Sequence, residues 1–233
     1  GRSVKRSKPK SGPRQTRPLL QWHPDGRAVL IDVRGALFRL DIETGEEREL
    51  VKADDMEWMK SLAPDGRVVY YSPSVAGGNG WRILRRNLES GEEKQLCLLN
   101  ADEARGVSVS PDGSRRAFLA RFGDRLAVMT VPAGGGEPRE LYRSGDLSLT
   151  QWGSYTLWGK DGRRVFFTAR EGKTGHEDIF SVPAEGGPAQ AAGAVRDRVG
   201  GISLHPDGRR MAYVDRKWRS ELWVLKNLVK PDK

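Results

Sequence analysis

HPDGRAVLIDV, residues 23–33, opens with a phrase that the chain writes five times. The phrase returns as APDG (63–66), SPDG (110–113), KDG (160–162) and HPDG (205–208). This places Asp25, Asp65, Asp112, Asp161 and Asp207 at intervals of 40, 47, 49 and 46 residues. A period of this size with strand-like flanks marks a repeat architecture, and among β-repeats it points to propeller blades.

Aligned on their Asp-Gly pairs, the repeats share one unit. Three residues before each Asp stands an apolar residue: Trp22, Leu62, Val109, Trp158 and Leu204. The fifth residue past each Gly is Ile31, Tyr71, Phe118, Phe167 or Tyr213. The third past it is Val29, Val69, Val165 or Met211 in four repeats, but Arg116 in the middle one. Short apolar and aromatic runs bounded by turn signals read as buried strands. The turn has a mechanism of its own: Pro presets φ, Asp suits the next corner, and Gly accepts the left-handed conformation that closes a bulged hairpin. The five Asp residues are therefore read as turn residues, not as a catalytic or calcium-binding set.

A third run follows in each repeat: 37–41, 81–88, 125–131, 178–182 and 221–225. Four repeats then add a second turn, ETGEE (43–47), ESGEE (89–93), AGGGEP (133–138) and AEGGP (184–188), with a polar strand after it. Four strands with the last the most polar describe a blade running from axis to rim, because neighbouring blades cover the inner strands on both faces. We therefore expect an all-β propeller of four-stranded antiparallel blades at 18–51, 57–98, 105–142, 155–192 and 199–228, flanked by tails at 1–17 and 229–233. The fifth repeat ends at Leu228 without a rim strand. A closed ring of five and an open part of a larger propeller both remain open, and an open ring predicts self-association.

With these elements in place, the PDG phrase together with DIFSVPAEGG (178–187) and ELWVLKNL (221–228) resembles the TolB-type, WD-like propeller repeat of bacteria. The likeness runs from Leu19 to Leu228. It implies one of several roles: a periplasmic interaction protein, a sensory or scaffold segment, or a substrate-gating domain beside a hydrolase such as a prolyl oligopeptidase-like peptidase. A periplasmic or extracytoplasmic setting is implied by the resemblance alone. Fold does not fix function.

The net charge of +9 is unevenly placed. Arg2, Lys5, Arg6, Lys8, Lys10, Arg14 and Arg17 fall among the first 17 residues with no acid beside them, so the remaining 216 carry only +2. The pI near 9.8 thus describes a tail. That tail, rich in Ser, Pro and Gly, reads as a disordered linker more than as a nucleic-acid or lipid-binding arm. A strap from SGPRQT (11–16) closing the ring is a competing reading. No apolar run approaches the length of a membrane helix. The lone Cys97 allows no internal disulfide and reads as a small strand hydrophobe.

Strand order decides which loops share a face. The stereotyped turns, first to second strand and third to fourth, lie on one side. Loops from second to third strand and from blade to blade lie on the other, and these are long and irregular: 72–80, 143–155, 170–177 and 193–199. Recognition residues concentrate on loops held by a rigid scaffold, so the irregular face around the channel mouth is the expected binding surface. Its candidates are Trp58, Trp81, Trp152, Tyr155, Arg170, His176, Arg198 and Trp218, types enriched at interface hot spots. Trp22, Trp158 and Trp223 are assigned to the core.

Catalytic patterns do not assemble. GVSVS (106–110) lacks the closing Gly of a nucleophile elbow, and three His with one Cys give no zinc spacing. GGNG (77–80) and GGG (134–136) lack the strand-Gly-helix context of phosphate loops. The acidic pairs Asp54-Asp55 and Asp102-Glu103 fall in polar blade-to-blade loops. The expected function is non-enzymatic: a module that needs no cofactor and no metal, binding another protein or another domain of its own polypeptide. The alternative is the gating propeller of a larger enzyme.

Overall fold

The computed structural model describes residues 20–23, 25–33, 36–51, 61–63, 65–73, 80–149, 155–172, 177–194, 199–204 and 211–215. All regular structure among them is β. Blade 1 is β1 (Leu20–Trp22), β2 (Ala28–Val33), β3 (Ala36–Asp41) and β4 (Glu47–Val51). Blade 2 is β5 (Ser61–Leu62), β6 (Val68–Tyr71), β7 (Trp81–Asn87) and β8 (Glu93–Leu99). Blade 3 is β9 (Glu103–Val109), β10 (Arg115–Phe122), β11 (Arg125–Pro132) and β12 (Arg139–Ser144). Blade 4 joins β13 (Leu147–Ser148) and β14 (Thr156–Trp158) to the same edge of β15 (Arg164–Glu171), followed by β16 (Glu177–Pro183) and β17 (Gln190–Ala194). Every pairing is antiparallel between sequence neighbours, apart from the shared edge of β15.

Among the described residues the arrangement is a β-propeller of four four-stranded blades, and a complete fifth is not seen there. The fifth repeat supplies the hairpin β18 (Val199–Leu204) and β19 (Met211–Asp215), since the third run expected at 221–225 lies outside the described residues. That hairpin packs beside β1, and the Trp22 backbone N–H donates to Ser203 Oγ at 2.9 Å.

The repeated turn forms as its residues dictate. Gly26, Gly66, Gly113 and Gly162 hold φ of 68°, 72°, 71° and 69°, the left-handed region that a side chain disfavours. In each turn the Asp carboxylate accepts the backbone N–H two residues on, from Arg27, Arg67, Ser114 and Arg163 at 2.8–3.0 Å. His23, at the head of the first turn, lies near Gly66 of the equivalent turn in the next blade.

The core lies between successive blades. Leu30 and Leu37 of blade 1 pack with Leu62, Val69 and Tyr71 of blade 2. Tyr70 and Ile83 pack with Phe118 and Ala127 of blade 3, and Leu119 and Val128 with Val165 and Phe167 of blade 4. Each large side chain fully buried this way contributes about 1.5–3 kcal/mol. Trp158 is buried as assigned, whereas Trp22 is half-buried and Trp223 lies outside the described residues.

Polar contacts seal the same seams. Gln21 brackets the Leu62 backbone, with Nε2 donating to its carbonyl at 2.9 Å and Oε1 accepting its N–H at 2.7 Å. Ser72 Oγ donates to Ala104 O at 3.1 Å, and Ser108 Oγ meets Thr156 Oγ1 at 2.6 Å. Towards the rim, the Gly-rich turns reach back to the preceding blade. Gly136 N–H donates to Leu96 O at 3.0 Å, and Gly187 N–H to Leu141 O at 3.1 Å. The rim strand β8 is consequently less polar than expected: Leu96, Cys97 and Leu99 are buried beneath the next blade.

Candidate functional site

The irregular face takes its shape from the inner strands. In blade 3 the register between β9 and β10 shifts at Ala117/Leu119, and Gly106, at φ 68°, marks the bulge. In blade 4 the inner strand is divided in two. Ser148 pairs with Arg170 and Thr156 with Phe167, so β13 and β14 are two pieces of one inner strand along the same edge of β15. The fifth repeat shifts register at its own inner strand, between Val199 and Ile202. Bulges of this kind re-aim side chains and recur beside functional sites.

The segment expected as one loop over 143–155 is therefore partly ordered sheet. Ser144 Oγ accepts the N–H groups of Asp146 and Leu147 at 3.0 and 2.9 Å, which turns the chain sharply into β13. A two-residue strand flanked by Gly and Asp carries too weak a period to stand out in the sequence.

Among the candidate residues, three are described. Trp81 begins β7, packs against the core between blades 2 and 3, and donates its indole N–H to Asp102 O at 3.0 Å. Its principal job is to join two blades, with part of the ring left exposed. Tyr155 closes the interrupted segment of blade 4, yet packs against the cluster built by blades 1 and 2, which lie across the axis. Its N–H donates to Thr168 Oγ1 at 3.1 Å. Arg170 stands opposite Ser148 at the same interruption, and its buried Nε has no hydrogen-bond partner. Trp58, Trp152, His176, Arg198 and Trp218 lie outside the described residues. The structure thus brings Tyr155 and Arg170 to one place, with Trp81 on another blade.

The paired acids at Asp102 and Glu103 are engaged. Asp102 accepts the Gly123 N–H at 2.6 Å and meets Arg121 at 3.6 Å, while Glu103 pairs with Arg105 and Arg121. Glu103 starts β9 and is not a loop residue. Among the described residues no group of three or more His, Cys, Asp or Glu is placed to hold a metal. None of the helices needed to cross a membrane is found among them either.

One exposed apolar side chain stands out at the rim. Leu98, next to the Leu99 that pairs with Trp81, is 58% exposed, the one large hydrophobe so placed among the described residues. Sequence reasoning passed over it because a rim strand was expected to be polar throughout.

Sheets fanned about an axis, each hydrogen-bonded in strand order and clasped to the next, define the β-propeller class. Within it the fold is TolB-like. TolB from Acinetobacter baumannii superposes with a TM-score of 0.60 at 17% identity, over 85% of this chain and 48% of that one. An Agrobacterium tumefaciens protein assigned as TolB gives 0.51 at 16% identity, over 85% and 90%. Oligogalacturonate lyase from Vibrio parahaemolyticus gives 0.52 at 15% identity, over 81% and 55%. The chain thus spans about half the length of the first and third of these structures. No protein-family model and no curated protein sequence matches it.

Proposed function

We propose that the chain is a non-enzymatic TolB-like propeller module that binds another protein, or another domain of its own polypeptide, through the irregular face at the mouth of the axis. The observation that carries this reading is the interrupted inner strand of blade 4. Seven positions of sequence separate Ser148 from Thr156, whereas their partners on β15, Arg170 and Phe167, stand only three apart, at the edge nearest the axis. A rigid blade holding an irregular segment is how recognition loops are usually mounted. The remaining sequence candidates, Trp58, Trp152, His176, Arg198 and Trp218, belong to the same proposed surface. Arg170 in β15 and Tyr155 just ahead of β14 border it, and Trp81 contributes its exposed edge.

Capture of partners by the intact chain, compared with a Trp152→Ala, Trp218→Ala variant, tests the reading. Loss of the captured species with unchanged thermal stability is expected. An identical set of partners from both proteins would place the binding surface elsewhere. If the captured species were a hydrolase domain, the gating propeller of a larger enzyme would replace the module as the role.

A further inference from the structure

Arg116 occupies the slot where the other repeats carry Val29, Val69, Val165 and Met211, and it is only 5% exposed. At the corresponding seams the slot is part of an apolar cluster, Leu30 with Val69 and Ala117 with Val165. Here it is polar. The guanidinium lies over the Tyr70 ring at 4.2 Å from its centroid, and Nη2 donates to the Tyr70 hydroxyl. Nη1 donates to Gly113 O at 2.8 Å and Arg115 O at 2.9 Å, and Nε is buried without a partner. No carboxylate meets it among the described residues, although Arg39, Arg115, Arg139 and Arg143 each have one. An arginine keeps its charge when buried, so Arg116 is an uncompensated cation in a seam that elsewhere is greasy.

A second, independent feature lies beside it. Arg85 and Lys94 stand directly opposite one another across β7 and β8. Like charges in this register repel, and neither pairs with a carboxylate among the described residues. Arg85, Lys94 and Arg116 line a single cleft of about 500 Å³ between blades 2 and 3, with Ala63, Tyr70 and Pro111 as part of its wall. That volume suits a small molecule or a short stretch of peptide. Asp65 and Asp112 stand at its exposed edge but serve their own turns: Asp65 accepts the Arg67 N–H, and Asp112 accepts from Ser110 and Ser114.

We propose that this cleft binds a ligand through a carboxylate. Three cations against two edge carboxylates leave one positive charge, which a single carboxylate matches and a doubly charged phosphate exceeds. The apolar wall then receives the body of the ligand. The cleft opens among the Pro-Asp-Gly turns, on the opposite side from the irregular face, so it stands whether or not the proposed module function does.

The isotope-labelled chain titrated with N-acetylleucine, with its carboxamide, and with inorganic phosphate tests the proposal by amide chemical shifts. The acid is expected to shift Arg85, Lys94 and Ala133 saturably at millimolar concentrations, with the carboxamide silent and phosphate at least about ten-fold weaker. Arg85→Gln should weaken the acid by at least about ten-fold without lowering the melting temperature, since it relieves the repulsion from Lys94. Arg116→Val, which restores the residue type of the other repeats, should do the same if it folds. Equal responses to acid and carboxamide, phosphate binding as tightly as the acid, no shifts at all, or an unaffected Arg85→Gln variant would each overturn it.

Discussion

The backbone N–H of Trp22 and the hydroxyl of Ser203, 181 positions apart, lie 2.9 Å from one another. This contact seats the fifth repeat against the first, in the same inner-strand layer where Gln21 holds Leu62 and Ser108 holds Thr156. Successive seams are thus sealed near the axis by a side chain of one blade bonding the neighbouring inner strand. Several consequences can be measured.

The turn of blade 3 clasps blade 2 through glycine. Gly135 holds φ 91°, and a Cβ there would stand 2.8 Å from Leu96 O. Its neighbour Gly134 has nothing within 4 Å of such an atom. Gly135→Ala should cost about 2 kcal/mol or more in urea unfolding, through backbone strain and the displaced clasp. Gly134→Ala should stay within about 0.5 kcal/mol of the parent.

Thr156 is buried, with its hydroxyl beside Gly106 O and 3.1 Å from Ala117 O as well as against Ser108. Thr156→Val keeps the shape but strands these acceptors. The expected loss is about 1–3 kcal/mol by denaturant unfolding. Ser108→Ala in that background should cost less than it does alone, because the partner is already gone.

Asp112 shows a pH signature. Hydrogen bonds from the Ser110 hydroxyl, then from the Ser114 backbone and hydroxyl, lower its carboxyl from 3.8 to about 2. A depressed folded pKa contributes stability that is complete above the unfolded value and disappears as pH falls through the folded one. The gap in melting temperature between the parent and Asp112→Asn should therefore be constant above about pH 5 and shrink towards about pH 2. A gap that widens on acidification contradicts this account.

Cys97 is buried in β8, and burial pushes its thiol from 9.0 up to about 11. Two units lower the thiolate fraction about a hundred-fold. Reaction with an aromatic disulfide reagent at neutral pH should be slower than for the unfolded chain by at least that factor. Prompt native-state labelling would show that the rim strand is open.

The blade unit was legible in the sequence because its signals are local. Pro-Asp-Gly presets a turn by backbone geometry, and the offsets of Trp22, Leu62 and Trp158 repeat with it. Arg116 also announced itself, by breaking a column of Val29, Val69 and Val165. What escaped was set by neighbours in space. The burial of Leu96 and Cys97 depends on the next blade's turn lying over them, and the break between β13 and β14 depends on pairing to one edge of β15. Tyr155 packing across to blades 1 and 2 cannot be seen from any single repeat.

Amide hydrogen exchange at Trp22, in the parent chain and in Ser203→Ala, tests the radial arrangement most directly. The arrangement predicts a protected Trp22 amide that exchanges at least about ten-fold faster in the variant, with Ala28 to Val33 unchanged. A Trp22 amide already exchanging freely in the parent, or one indifferent to the substitution, would show that the fifth repeat does not meet the first.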